Sequence, residues 1–555
     1  MLTGRRAFLR WGGLSLAAGG LLGATGPYWA PMAKAIGITG LLPGSSRQFV
    51  WRHGSPFALG IAAGSPRSDG FTLWTRLAPE PLLAEAADNP SADFGLAGMP
   101  ATQGDIEIGY EIAGDPEMRQ IIRSGVARAE AAYAFSVHLD VAGLAPGRPY
   151  WFRFISGDAF SPIGRATTLP ALDKETPAAR IGVASCANFE RGYFGAYRHL
   201  AAEAPDLVVF LGDYIYENAH HEGVLRPHSD GVAAITLAQY RRRHAQYRLD
   251  PDLQALHAAA PCLITWDDHE VQNDYAGDWS ETFDDPAIFR RRRAAAYQAF
   301  YEHMPLPAAS RPHGPDMRIY GSTGFGDLIN IQLLDGRQYR SREACYGLVD
   351  GGGGHLETLR RCPELAEPSR SLLGLEQEAW LYAQLQNSRA RWNVIAQDVL
   401  MAPFLEAQPA PEHGFGYATD RWDGYPAARQ RLIQHIHQAQ PANPVVISGD
   451  IHSFWANDLH LDPRDTGSPL VAHEFVGTSI TSHGPDYAAL MRSMADNPQI
   501  RFCDSRQRGY MLLETDRQHL TAHFRTVSDV TDPSASLATL RSFVIENGTL
   551  GLQGA

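Results

Sequence analysis

Leu207-Val208-Val209-Phe210-Leu211-Gly212-Asp213-Tyr214-Ile215-Tyr216 begins with five apolar residues in unbroken succession. A strand with one wet face alternates apolar and polar residues, so a run without alternation fits a strand covered on both faces. Gly212-Asp213 then ends the run, leaving a carboxylate at the strand's carboxyl end and a phenol, Tyr216, three residues on. The same pattern recurs on either side. Ile181-Gly182-Val183-Ala184-Ser185 ends in Cys186, Leu263-Ile264-Thr265-Trp266 in Asp267-Asp268-His269-Glu270, and Val445-Val446-Ile447-Ser448-Gly449 in Asp450-Ile451-His452. Further apolar runs lie at Leu328–Leu334 and Asn393–Ala396, and amphipathic stretches at Tyr193–Ala204, Leu237–Ala259, Glu376–Leu385 and Ala427–Gln438 separate the runs. Strands alternating with helices predict an α/β domain around a buried sheet over residues 178–555. The stretches at about 275–325, 341–372 and 401–425 read as long loops that shape a pocket.

In α/β folds ligands bind outside the carboxyl ends of the strands. Four such ends here deliver thiol, phenol, carboxylates and imidazole, a donor mixture suited to hard or borderline cations. Carboxylates crowded together repel unless a cation sits among them. One Gly-Asp alone signals a turn. Two of them with an Asp-Asp-His-Glu end point to a two-metal centre, whose ions sit roughly 3.5–4 Å apart and are commonly bridged by a carboxylate. Asp213 is placed in the order to be that bridge, and Asp267 beside Asp268 leaves open which of the two is a ligand. Plainer readings stand beside these. Cys186 is by type a buried thiol, Tyr216 an aromatic at a sheet edge, and His269 a salt-bridged imidazole between two acids. Arg337 and Arg340 read either as phosphate contacts or as partners of local acids, and Arg290–Arg293 as a solvated helix face.

Residues 46–170 have a different texture. Period-2 runs such as Gly70-Phe71-Thr72-Leu73-Trp74 and Ile106-Glu107-Ile108-Gly109-Tyr110-Glu111-Ile112 recur between turn signals, which predicts an all-β sandwich of immunoglobulin or fibronectin type. Pro170 to Pro177 reads as the linker to the α/β domain. The chain has 555 residues and a net charge of −13, long enough for two or three domains and acidic enough to repel nucleic acid and anionic lipid. Residues 1–35 carry Arg5, Arg6, Arg10 and Lys34 but no acid, followed by a modest apolar run and Ala33-Lys34-Ala35. This is a signal-peptide pattern, and Arg5-Arg6-Ala7-Phe8-Leu9 resembles a twin-arginine export signal, with Gly4 where Ser or Thr is usual. It places the mature chain in the periplasm or outside the cell, with the export machinery as a partner and no transmembrane span. Of the five cysteines, Cys345 and Cys362 lie in one irregular stretch and are placed to close a loop, while Cys262 reads as a buried thiol.

The motifs together resemble the PhoD-like alkaline phosphatases. The resemblance rests on Ala184-Ser185-Cys186, Gly212-Asp213-Tyr214-Ile215-Tyr216-Glu217, Trp266-Asp267-Asp268-His269-Glu270-Val271, Leu334-Asp335-Gly336-Arg337-Gln338-Tyr339-Arg340, Ser448-Gly449-Asp450-Ile451-His452-Ser453-Phe454-Trp455 and Phe475-Val476-Gly477-Thr478-Ser479-Ile480-Thr481-Ser482. Gly60 to Pro66 and Leu73 to Leu77 extend it into the all-β region. It implies a metallophosphoesterase core, a two-sheet sandwich flanked by helices and related to that of purple acid phosphatases. It also implies a ferric ion (Fe3+) held by Cys186, Asp213, Tyr216 and His452, and divalent calcium (Ca2+) held by Asp213, Asp268 and Asp450, with Asn273 and Gln397 as weaker candidates. Thiolate and phenolate are anionic donors that suit Fe3+, whereas calcium prefers oxygen.

The chemistry expected of such a centre is hydrolysis of phosphomonoesters, with phosphodiesters as a second class, by a metal-bound hydroxide that attacks phosphorus in line. His269 is the candidate to orient the phosphate or protonate the leaving alkoxide, and Arg337 the candidate to fork onto non-bridging oxygens. Two other classes use the same features differently. An iron-dependent oxidoreductase would take up oxygen with a reductant. A metal-stabilised binding or adhesion protein would bind metal without turnover and capture its partner through residues 46–170.

Overall fold

A strand apolar on both faces needs a cover on each side, and in this protein a second sheet supplies one and helices the other. The computed structural model describes residues 51, 54–79, 104–220, 222–346, 353–407 and 415–554; the segment read as an export signal lies outside them. In the Leu207–Leu211 strand, Val208 and Phe210 join a core under helices, whereas Leu207, Val209 and Leu211 join the core between the sheets. Both faces are dry, hence the absence of alternation.

The first sheet has ten strands. Its centre is the parallel set Ala178–Ala184, Leu207–Leu211 and Cys262–Thr265, in register at Ile181↔Leu207 and Val208↔Cys262. Antiparallel strands from the C-terminal part, Arg508–Asp516, His519–Val527 and Leu537–Glu546, extend one flank. The second sheet has seven strands, with Ile329–Leu333, Trp392–Ala396, Pro444–Ser448 and Leu470–Val476 parallel at its centre. Val183, Val209, Ile331, Val394, Val445, Phe475, Met511 and Phe524 fill the space between the sheets. Helices Gly195–Ala202, Leu237–Arg248, Pro251–Ala259 and Pro286–His303 lie over the first sheet, and Gly374–Asn387 and Pro426–Ala439 over the second. This is a mixed α/β fold of two stacked sheets between helices.

The N-terminal strands Ile61–Arg67, Gly70–Arg76 and Ser136–Val141 are stitched into the first sheet, through a parallel bridge at Gly64↔Cys262. Their other face shares a core with a five-stranded sheet that includes Ile106–Ala113 and Pro149–Ser156, built on Ile61, Phe71, Leu73, Ile108, Ile112, Phe152 and Phe154. Among the described residues, no helix is long and apolar enough to cross a membrane.

Two expectations need correction. The 275–325 loop contains the 18-residue helix Pro286–His303, capped by Asp285 with Pro286 in its first turn. Its four consecutive arginines hide the apolar stripe of Phe289, Ala296, Tyr297 and Phe300, and they are only partly a solvated face, since Arg293 is buried and donates to the Gly277 carbonyl. The Leu237–Ala259 stretch is two helices, because Asp250 caps a new one that starts at Pro251. Cys345 and Cys362 form a disulfide, and Cys262 is a buried free thiol.

Candidate metal centre

The parallel strands of both sheets point their carboxyl ends the same way, and the chain turns sharply at several of these ends. Cys186, Asp213, Asp450 and His452 have φ of 59°, 51°, 64° and 50°, the left-handed region that costs an L-residue about 1–2 kcal/mol. Strain of this kind clusters at functional sites and persists where the surroundings enforce it. A buried acid and a half-buried arginine supply the enforcement. The Glu270 carboxylate accepts from the backbone N–H of Asp213 (3.0 Å), Tyr214 (2.5 Å) and Asp267 (2.7 Å), tying together the ends of two strands. Arg508 Nη1 donates to the carbonyl oxygens of His452 (2.5 Å) and Ser482 (3.0 Å) and to Ser479 Oγ (3.0 Å). At Gly212, φ is +87° and a Cβ would come within 2.4 Å of the Asp267 nitrogen, so only glycine lets the two strand ends pass.

The result is three linked groups of donors, each with its atoms within 4.8 Å of one another: Cys186, Asp213 and His452; Asp213, Asp268 and His269; Asp267, Asp268 and Asp450. Asp213 joins the first group to the second, and Asp268 joins the second to the third. The Tyr216 hydroxyl donates to Asp213 Oδ2 at 2.8 Å and lies 3.1 Å from His452 Nε2. His452 Nδ1 is 2.8 Å from the His483 carbonyl oxygen. A carbonyl can only accept, so Nδ1 carries a proton and Nε2 is the atom turned to the site, the arrangement usual for a ligating histidine. Three of the four strand ends belong to the first sheet; the fourth, with Asp450 and His452, comes from the second sheet.

The arrangement suits cations. Asp213 Oδ1 and Asp267 Oδ2 are buried without a hydrogen-bond partner, and Asp268 Oδ1 has only Arg337 Nη2 at 3.5 Å, a costly state unless further positive charge meets them. Burial pushes the Cys186 thiol well up, and the Asp213 and Asp450 carboxylates add to the effect. The Tyr216 phenol is raised by burial and by Asp213 and Cys186. Burial and Asp213 push Glu270 up to about 8. A cation among these groups would reverse that balance and draw off the protons. Sulfur, phenol, imidazole and carboxylate donors at one end, and carboxylates alone at the other, fit a ferric ion beside a harder divalent one.

His269 Nδ1 lies 2.6 Å from Glu217 Oε2, and its ring centre is 4.2 Å from that of Tyr216, the two planes tilted by 32°. Burial disfavours the imidazolium, yet Glu217, Asp268 and Asp213 outweigh it and hold His269 well above its ordinary range. Arg337 departs from the expected phosphate fork. It is fully buried; Nε meets Asp267 Oδ1 at 2.5 Å, and the two Nη atoms grip Asp420 at 2.5 and 2.9 Å. Asp268 at 3.5 Å and Asp398 at 3.6 Å complete its surroundings. Carboxylates therefore occupy the edges that a phosphate would use. Gln397 bonds Trp422 Nε1 through its oxygen at 3.1 Å, and Asn273 Nδ2 bonds Glu281 at 3.0 Å. Glu217, Glu270, Arg508 and Asp420 were not singled out from sequence. The first two sit inside the quoted motifs; nothing local marks Arg508 or Asp420.

Known proteins carry the same organisation. The family model described as "PhoD-like phosphatase" matches residues 181–524, and "PhoD-like phosphatase, N-terminal domain" matches residues 45–170. "Alkaline phosphatase D" of Bacillus subtilis (strain 168) is 42% identical over 509 residues, covering 90% of this chain and 82% of that protein. A solved structure titled "Structure of PhoD" superposes with a TM-score of 0.83 at 42% identity, over 90% of this chain and 92% of that one. With both family models in register, and the strand ends carrying the donors where the motifs stand, the chain belongs to the PhoD-like phosphatase family.

Proposed function

We propose that this phosphatase hydrolyses phosphomonoesters, and phosphodiesters as a second class, at a ferric and divalent-metal centre after export through its twin-arginine-type leader. The observation that carries the reading is the chain of three donor groups joined through Asp213 and Asp268. Cys186, Asp213, Tyr216 and His452 would hold iron; Asp213, Asp268 and Asp450 would hold divalent metal, with calcium as the expected ion. Asp268 is favoured over Asp267 because it belongs to two of the groups, while Asp267 is engaged by Arg337 at 2.5 Å. When bound, the cations supply the charge that acidifies a water and offsets the negative phosphoryl oxygens. His269, oriented by Glu217, gives its Nε2 proton to the leaving oxygen. Tyr216 and Ser482 (2.6 Å between their hydroxyl oxygens) brace the iron side.

The test is turnover of a chromogenic phosphomonoester and a diester by the leader-less protein, with and without calcium. Metal-replete protein inert on both contradicts the reading. Cys186→Ala is expected to lose iron and activity together, read by metal analysis beside the assay; full activity at normal iron content removes Cys186 from the centre. Glu217→Gln keeps the shape around His269 but removes the charge that keeps it protonated. Its kcat is expected to fall about 10- to 100-fold, up to the lower end of the roughly 10²- to 10⁴-fold that general-acid catalysis supplies, because His269 itself is retained. The acid must be protonated to act and its pKa drops in the variant, so the alkaline limb of the kcat profile moves to lower pH. An unmoved limb assigns the proton to another group.

A further inference from the structure

With Arg337 saturated, the phosphoryl group lacks the guanidinium expected for it. A cleft of about 240 Å³ opens beside Asp450, lined by Asp274, His355, Glu406, Asp420 and Arg421 among others. Among the described residues that line it, Arg421 is the sole guanidinium or ammonium. Building on the phosphatase reading above, we infer that Arg421 binds the non-bridging oxygens of the substrate and sets a preference for monoesters over diesters.

Three features support this assignment. Its neighbour Asp420 is clamped by Arg337 and also by Arg340, whose Nη1 reaches the Asp420 carboxylate at 2.8 Å and its carbonyl oxygen at 3.0 Å. The backbone that carries Arg421 is thereby fixed against the metal-site residues, and pre-placed groups bind without an ordering cost. The guanidinium itself is weakly engaged. Its ion pair, with Glu406 Oε2, is 3.7 Å long and the side chain is 23% exposed, whereas Arg337 is fully buried. A long, part-exposed pair contributes little and is readily exchanged for a phosphoryl oxygen, to which arginine offers a fork that lysine lacks. Finally, apart from the His355 imidazole the other ionisable side chains of the cleft, Asp274, Glu406, Asp420 and Asp450, are acidic. A phosphomonoester at alkaline pH bears one more negative charge than a diester, so loss of the lone cation weighs more heavily on the monoester.

The experiment compares holoenzyme with Arg421→Gln and Arg421→Lys on p-nitrophenyl phosphate and bis(p-nitrophenyl) phosphate, with inorganic phosphate as inhibitor and metal content measured throughout. For Arg421→Gln, kcat/KM on the monoester is expected to fall about 10- to 100-fold, the loss of a charge-assisted hydrogen-bond pair, and the inhibition constant for phosphate to rise in step. Diester turnover falls several-fold less, metal content stays at the wild-type level, and Arg421→Lys lies between. Equal losses on both esters, an unchanged phosphate inhibition constant, or loss of metal along with activity overturns the assignment. A wild type that turns over neither ester instead overturns the phosphatase reading itself.

Discussion

Asp213→Asn is expected to lower kcat/KM roughly 10³-fold or more and to reduce bound metal on both sides of the centre. The size follows from two numbers: a Lewis-acid cation contributes several kcal/mol to a phosphoryl transition state, and about 1.4 kcal/mol is a factor of ten. Asp213 is the residue shared by the thiol-bearing group and the group that contains Asp268, so one substitution removes a bridging charge from two ions. Asparagine is the informative replacement because Asp213 has φ of 51° and asparagine tolerates that region nearly as well. Its side-chain oxygen can still accept from the Tyr216 hydroxyl, 2.8 Å away in the wild type. The metal-free proteins add a sign. Without cations, Asp213 is a buried carboxylate with one unpartnered oxygen among other acids, so the apo variant should melt at or above the temperature of apo wild type. An apo variant that melts far lower would show that Asp213 serves the fold rather than the ions. Metal analysis, steady-state kinetics and thermal melts of both forms separate the cases.

Much of this centre was legible in the chain because its strands are buried on both faces. A run such as Leu207–Leu211 announces itself by lacking alternation, and the few residues that follow it are then those at the sheet's edge. That logic reached Cys186, Asp213, the Asp267–Asp268 pair, Asp450 and His452, all of which the fold brings together. It did not reach what depends on contact between distant segments. Arg337 lies 70 residues from Asp267 and 83 from Asp420, and no local pattern says that a buried guanidinium will meet those carboxylates. Arg508, 56 residues beyond His452, is invisible for the same reason. Nor does the order of strands tell which sheet each joins: Pro444–Ser448 lies across the core from Leu207–Leu211, and the C-terminal antiparallel strands return to flank the first sheet. The helix Pro286–His303 was masked by the run Arg290–Arg293, whose charges obscure an apolar stripe.

Arg337→Met is expected to cost stability rather than substrate affinity alone, by about 3–5 kcal/mol, the usual penalty for removing one partner of a buried charge cluster. The wild-type guanidinium is fully buried and faces Asp267, Asp268, Asp398 and Asp420 at 2.5 to 3.6 Å. Methionine fills much of the volume but leaves these carboxylates buried and mutually repelling. Asp398 has both oxygens without a hydrogen-bond partner, and Arg340 Nη2 at 3.8 Å offsets only part of the loss. Because Asp268 and Asp450 would be neutralised by bound cations, the loss should be larger in metal-free than in metal-loaded protein. Arg337→Lys restores the charge without the two-pronged grip on Asp420 and should recover only part of the deficit. Denaturant unfolding of all three proteins, with and without metal, measures these differences. A direct phosphate contact makes the opposite demand: unchanged unfolding midpoints with a raised KM and a raised inhibition constant for phosphate. The internal role also carries forward to the cleft, since Arg337 holds Asp420 and Asp420 precedes Arg421. Arg337→Lys should therefore weaken phosphate inhibition in proportion to how far the Asp420 loop relaxes, and less than Arg421→Gln does.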